Sequence, residues 1–375
     1  MLIRANGARS GIKEYLEKGQ MKDRFFDRDQ LDHREILYGD LGLIDDTINN
    51  LSNDGEKYFH FTLAFKEDSI PTEKLSAITQ EFRDFYFKAY TVDEFLPQYK
   101  SWGNITISQL INQTSGIYDY TNSFLWWTRL YLFSFLNWNP TELLAIADGK
   151  SYFEPSHGWH YSNTNYVILG LIIEKITQQK LSDYFTKNFL QTRHMSVNHT
   201  KYILDNPSGN LKNNLAHGYY NNGVDMTNIN TSWLQSAGAM LSNANDLTKW
   251  YLFYGQQIIN NKFVLSQFVD IINGKQLGDF SHIGYGFGAF MMSTPYGILF
   301  LTPGLTLGYT SLAGYLPCKD VSFSYIITNG FKRQNVHQYL LAKIIPIIAQ
   351  NTSDKTSVPE CQIKSQSKEI IFPNF

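Results

Sequence analysis

Apolar positions along this chain follow two periods, and the places where the period changes divide it. Up to about residue 65 a short charged opening gives way to runs such as Arg34–Tyr38 and Tyr58–Phe65, whose aromatic and β-branched content predicts strands. From about 66 to 280 the spacing is mainly helical. Helices are predicted over 105–112, 141–147, 164–178 and 245–257, with Asn- and Gly-rich loops between them. Alternation returns at 283–292, 296–302, 309–315 and 321–329, and 335–349 reads as a closing apolar helix.

Strands at both ends around a helical middle predict an α+β fold. One antiparallel sheet is expected from 1–65 and 281–350, with flanking helices and an inserted helical subdomain at 66–280. Together these make a single domain over 1–350 with a cleft at the junction. Residues 351–375, rich in Ser, Thr, Lys and Gln, are expected to form a loosely held tail.

The densest apolar segment, Phe124–Trp138, falls short of the roughly 20 residues that a bilayer span needs, and it carries Arg129. It reads first as core, with a membrane-surface strip or the wall of an apolar substrate cleft as alternatives. No transmembrane span is expected elsewhere.

Composition narrows the partners. Acidic and basic residues nearly balance, 34 against 32, so neither a nucleic-acid backbone nor an anionic membrane is the expected main partner. Aromatics make up 15% of the chain and cluster, which favours pockets. The two cysteines, Cys318 and Cys361, have no metal-site spacing and are read as unpaired thiols; no metal or cofactor is expected. The opening residues lack the apolar core of a secretory signal, which makes a cytoplasmic location the default. Gly284-Tyr-Gly-Phe-Gly288 lies within strands and opens no helix, so it fails as a dinucleotide loop. Nothing in the sequence fixes an oligomeric state.

The stretch with most chemistry is Tyr161-Ser162-Asn163, a phenol and a carboxamide two residues apart immediately before an apolar helix. Ser162 or Asn163 can also serve simply as that helix's cap. Further segments occur in order: Ile105–Gly116 ending in Thr-Ser-Gly, Phe153–Asn163, Ala237–Leu247, Tyr285–Gly288 and Gly304–Gly308. This collinear set resembles the class C β-lactamase, DD-peptidase and esterase family, clearly over about 100–330 and faintly before that.

The resemblance implies acyl transfer to a serine, with a small-molecule or peptide substrate and no cofactor. It implies Ser69 at the nucleophile position, Tyr161 as proton carrier and Asn163 as the substrate-orienting amide. Thr302 and Gly304 then form the cleft-wall strand. Ser76 is the alternative nucleophile register.

The chain departs from the family at its cations. The position three residues after Ser69 is Thr72, and after Ser76 it is Thr79; the family places a lysine there, one helical turn from the serine. Lys74 follows Ser69 by five residues, well round a helix from it. Thr302-Pro303-Gly304 stands where a cationic residue is usual, and Gln113 stands where a structural histidine is common. A phenol of ordinary pKa about 10 needs a nearby cation to act as a base near neutrality. His157 and His160 are read as loop residues. Two readings follow: a serine hydrolase of low activity, and a non-catalytic protein whose cleft binds a peptide, cell-wall fragment or partner.

Overall fold

A computed structural model describes residues 90–191, 199–203, 215–220, 223–260, 264–265, 267–272, 274, 283–330 and 334–353, together with the backbone of four strands before residue 65. The chain divides into two compact units, one centred on Met1–Tyr90 and the other running from Thr91 onward. In the first, β1 (Leu2–Ala8) pairs antiparallel with β4 (Tyr58–Ala64), and β2 (Lys18–Met21) with β3 (Arg24–Asp27). The predicted strand at Tyr58–Phe65 is therefore present as β4. Ser69, Ser76, Thr72, Lys74 and the Arg34–Tyr38 run lie outside the described residues.

The second unit is built on a six-stranded antiparallel sheet. Its strands are β5 (Val269–Asp270), β6 (Gly284–Gly286), β7 (Ala289–Thr294), β8 (Gly297–Leu305), β9 (Thr310–Leu316) and β10 (Val321–Ile327), in the order β10-β9-β8-β7-β6-β5. All six come from residues 269–327, whereas β1 and β4 pair with each other.

Helix starts follow their caps. α1 (Ile107–Ile111) opens on a reciprocal box between Thr106 and Gln109, and α3 (Pro140–Ala147) on one between Asn139 and Glu142 with proline in its first turn. α2 (Phe124–Leu132) lies between them. The three longest helices among the described residues are α4 (Asn163–Thr177), α5 (Ala244–Ile259), whose Asn243 cap accepts the Asp246 N–H at 2.8 Å, and α6 (Gln334–Asn351).

Strand periodicity sorts the core. Along β8 and β9, Leu299, Leu301, Leu312 and Leu316 face Leu341 and Ile345 of α6, while Ile298, Phe300, Ala313 and Tyr315 face Tyr251 and Ile258 of α5. Both faces of the sheet are thus covered. Gly255 lets α5 lie close to the sheet, since a Cβ there would stand 2.3 Å from the Tyr315 ring. A third cluster joins α1, α3 and α4 through Leu110, Leu143, Leu144 and Ile168. Within it Trp126 packs edge-on against both Trp127 and Trp233, at 4.8 and 5.1 Å between ring centres.

The core reading of 124–138 holds for Trp126, Leu130 and Trp138, which are buried, and not for Phe124, Tyr131 and Phe135, which are 86%, 87% and 68% exposed. A nearly continuous apolar run hides the helical period: only positions 126 and 130 of α2, one turn apart, point inward. Arg129 turns back onto the protein, pairing with Glu142 at 3.0 Å and lying 3.9 Å above the Trp138 ring. Cys318 is disulfide-bonded, which corrects the expectation of a free thiol. Sequence spacing carries no information about the Cα separation that decides pairing.

Candidate active site

Two segments some 45 residues apart in sequence close on each other to make the site. The first, Gln113–Thr121, leaves α1 through a left-handed Gln113 at φ 66° and a left-handed Gly116 at φ 74°. Glycine is required at 116, because a Cβ would stand 2.0 Å from the Phe153 carbonyl. The second is the Tyr161–Asn165 start of α4.

Each residue of that start except Tyr161 and Ser162 finds its side-chain partner on the first segment. Asn165 accepts from Ser115 Oγ at 2.8 Å and donates to Gln113 Oε1 at 2.6 Å. Thr164 donates to the Tyr118 carbonyl at 2.7 Å and accepts the Tyr120 N–H at 3.2 Å. Asn163 Nδ2 donates to Asp119 Oδ2 at 2.9 Å and reaches Thr121 Oγ1 at 3.4 Å. Gln113 fixes the backbone on both sides of Tyr161: its Oε1 accepts the Ser162 N–H at 2.9 Å and its carbonyl accepts the His160 N–H at 3.2 Å. The Ser162 hydroxyl is buried and has no hydrogen-bond partner among the described residues, so it does not cap α4.

Asp119 is the residue that sequence reasoning missed. It is 4% exposed, and its carboxylate gathers Thr121 N–H and Thr121 Oγ1, each at 2.9 Å, as well as the Asn163 amide. Burial raises its pKa, and the hydrogen bonds from Thr121 and Asn163 oppose that rise. The Asp-x-Thr spacing signals a local side-chain turn, but only the folded chain brings Asn163 to it.

Tyr161 packs on the face of the sheet that α6 also covers. Its ring lies 6.2 Å from Tyr285, nearly perpendicular, and 5.8 Å from Tyr166; Trp159 and Phe290 complete the aromatic wall. The Tyr166 and Tyr285 hydroxyls hydrogen-bond to each other. Burial pushes the Tyr161 phenol well above its ordinary range, and Tyr166, Asp119 and Tyr120 add to the shift. Each of these influences favours the neutral phenol.

Thr302 and Gly304 sit on the part of β8 that extends past β7, where the registers pair it with β9 alone. Thr302 Oγ1 donates to the Gly288 carbonyl at 2.6 Å, and Thr302 pairs with Ala313 on the α5 side of the sheet. Pro303 is accommodated because no described strand flanks this overhang on its other side. His157 is exposed, with Nδ1 3.0 Å from the Pro155 carbonyl. His160 stacks on Tyr152 at 3.8 Å, and its Nδ1 lies 2.7 Å from the Tyr161 carbonyl. Tyr161 and Asn163 are thus held together with Asp119, and Thr302 is engaged with the β6–β7 turn.

A two-sided antiparallel sheet with a Tyr-x-Asn pair opening a buried helix against it defines the α+β fold class of β-lactamases and transpeptidases. Residues 89–344 match the Beta-lactamase family, and the chain belongs to it. Over 227 residues it is 29% identical to penicillin-binding protein 4* of Bacillus subtilis, covering 54% of this chain and 46% of that protein. The chain thus spans about half the length of that curated relative, and 32% of a staphylococcal one. Among solved structures, a D-stereospecific amidohydrolase from Streptomyces superposes with a TM-score of 0.59 at 22% identity, over 73% of this chain and 85% of that one. D-amino acid amidase from Ochrobactrum anthropi, complexed with L-phenylalanine amide, superposes at 0.55 and 20% identity, over 73% and 78%. Among the described residues no helix is long and apolar enough to cross a membrane.

Proposed function

We propose that this protein is an acyl-serine hydrolase of the β-lactamase family, acting slowly on an amide or ester of amino-acid type in the cleft beside Tyr161 and Asn163. Ser69 is the nucleophile, Tyr161 the proton carrier, Asn163 the substrate-orienting group, and the Thr302–Gly304 strand the cleft wall. The substrate class follows the D-stereospecific amidohydrolase and amino-acid amidase to which the fold is similar.

The observation that carries the low activity is the state of Tyr161. Its described surroundings all favour the neutral phenol, and threonines occupy both sequence positions where a cation would favour the phenolate. Loss of a working general base typically lowers rate by about 10²–10⁴. A binding role without turnover is the second reading. It is favoured by Thr302, whose hydroxyl hydrogen is committed to Gly288.

A fluorescent penicillin or fluorophosphonate probe separates the two readings. Slow labelling abolished by Ser69→Ala supports the hydrolase. No labelling at high probe concentration supports the binder, and labelling that survives Ser69→Ala removes Ser69 from the assignment.

A further inference from the structure

Asn163 has two ends, and its contacts decide which one a ligand meets. An ionised carboxylate can only accept hydrogen bonds, and the Asp119 carboxylate already gathers an N–H and a hydroxyl from Thr121. The Thr121 hydroxyl spends its hydrogen on Asp119, so toward Asn163 it offers only its oxygen. Both groups facing the Asn163 amide are therefore acceptors. Turning that amide round would set its carbonyl against a buried carboxylate, replacing a charge-assisted hydrogen bond with a repulsion. The NH₂ end is thus fixed inward at 2.9 Å from Asp119, and Oδ1 has no hydrogen-bond partner among the described residues. Asn163 is half-buried, so this carbonyl is the part of it left for a ligand.

The charge behind it acts in the same direction. No described cation offsets Asp119; burial and the hydrogen bonds from Thr121 and Asn163 are what act on it. A negative charge one hydrogen bond behind a carbonyl, in a buried setting, deepens the potential that the carbonyl presents.

We propose that Asp119 reverses the hydrogen-bonding sense of Asn163, so that the cleft selects ligands presenting an N–H donor, above all an ammonium, at this position. Asp119 is a positioning residue that sets specificity through Asn163. The inference rests on the reading above that Asn163 borders the ligand cleft.

The test compares D-phenylalanine amide with 3-phenylpropanamide, the same molecule without its amine, by titration followed in ¹⁵N NMR. The amine-bearing ligand is expected to bind roughly ten- to a hundred-fold more tightly, the span of one charged hydrogen bond. In Asp119→Asn the new amide can donate to Asn163 Oδ1 and turn it, so the preference is expected to fall below about three-fold or reverse. Equal binding of both ligands by the wild type, with shifts centred on residues 161–165, overturns the proposal and leaves the cleft reading intact. Absence of shifts there with either ligand overturns both. Should Asp119→Asn fail to fold, the wild-type Asn163 side-chain NH₂ decides: slow solvent exchange supports its inward orientation, and exchange at the rate of a free surface amide overturns it.

Discussion

Gln113 Oε1 accepts the Ser162 N–H at 2.9 Å, from a residue whose own backbone is left-handed at φ 66°. The same oxygen takes the Asn165 amide at 2.6 Å, so one buried atom satisfies two donors of the α4 start. Gln113→Ala removes that shared acceptor while both donors remain buried. Each unsatisfied group costs roughly 1–3 kcal/mol. Denaturant unfolding of the variant is expected to show a loss of about that size or twice it, with no comparable loss in Gln113→His if an imidazole nitrogen can take the Ser162 N–H.

Gly116→Ala tests the same junction from the backbone. A left-handed non-glycine residue costs about 1–3 kcal/mol. The 2.0 Å approach of the new Cβ to the Phe153 carbonyl adds steric overlap to that. The variant is expected to be substantially less stable than wild type in a thermal melt, and a melting temperature within a degree of wild type would contradict the described turn.

Tyr161 supplies a prediction about acidity. With its phenol held well above the ordinary range by burial, it does not titrate between pH 6 and 9. Tyr161→Phe is therefore expected to lower the rate of covalent probe labelling while leaving the shape of its pH profile across that window unchanged. A wild-type inflection that disappears in the variant would show that Tyr161 ionises there.

His337 contributes a pH dependence of stability. Burial lowers its pKa from 6.5, and its Nδ1 lies 2.6 Å from the Tyr325 hydroxyl. Below pH 6.5 the unfolded chain takes up a proton that the folded one resists. This stability is therefore present above the unfolded value and is lost as pH falls from there through the lower folded value. Unfolding free energies measured across pH 7 to 5 are expected to slope less in His337→Gln than in wild type.

Cys318 gives a redox prediction. It is expected to resist iodoacetamide until a reductant is added, and breaking its disulfide is expected to cost about 2–4 kcal/mol. Labelling of Cys318 in the unreduced protein would refute the bond.

Local elements were legible in the sequence to within about three residues at their ends, although the run expected as one strand at 283–292 forms two, Gly284–Gly286 and Ala289–Thr294. Helices predicted at 164–178 and 245–257 are observed as Asn163–Thr177 and Ala244–Ile259, because the apolar period marks both and the Asn243 cap also marks the second. Strand runs predicted at 296–302 and 309–315 are observed as Gly297–Leu305 and Thr310–Leu316. The Tyr-x-Asn pair was legible as chemistry. Its surroundings were not, since Asp119 and Gln113 reach it across 44 and 49 residues through side-chain contacts that leave no period in the chain. The direction of Thr302 was also hidden, because strand alternation gives two faces and only the register with Ala313 says which is which. Phe124–Trp138 misled for the opposite reason: apolar character continued where burial did not.

The indoles of Trp126, Trp127 and Trp233 connect to the Asp119–Thr121 segment through Tyr120, which packs on Trp126 at 6.3 Å and donates its hydroxyl to the Trp233 carbonyl at 2.7 Å. Chromophores so close and so inclined share their excited states, which gives the folded chain a near-ultraviolet circular dichroism band of its own. Any change that loosens the Tyr120 segment, whose N–H bonds Thr164 beside Asn163, is expected to dim that band, so an unlabelled sample carries a built-in optical gauge of that segment.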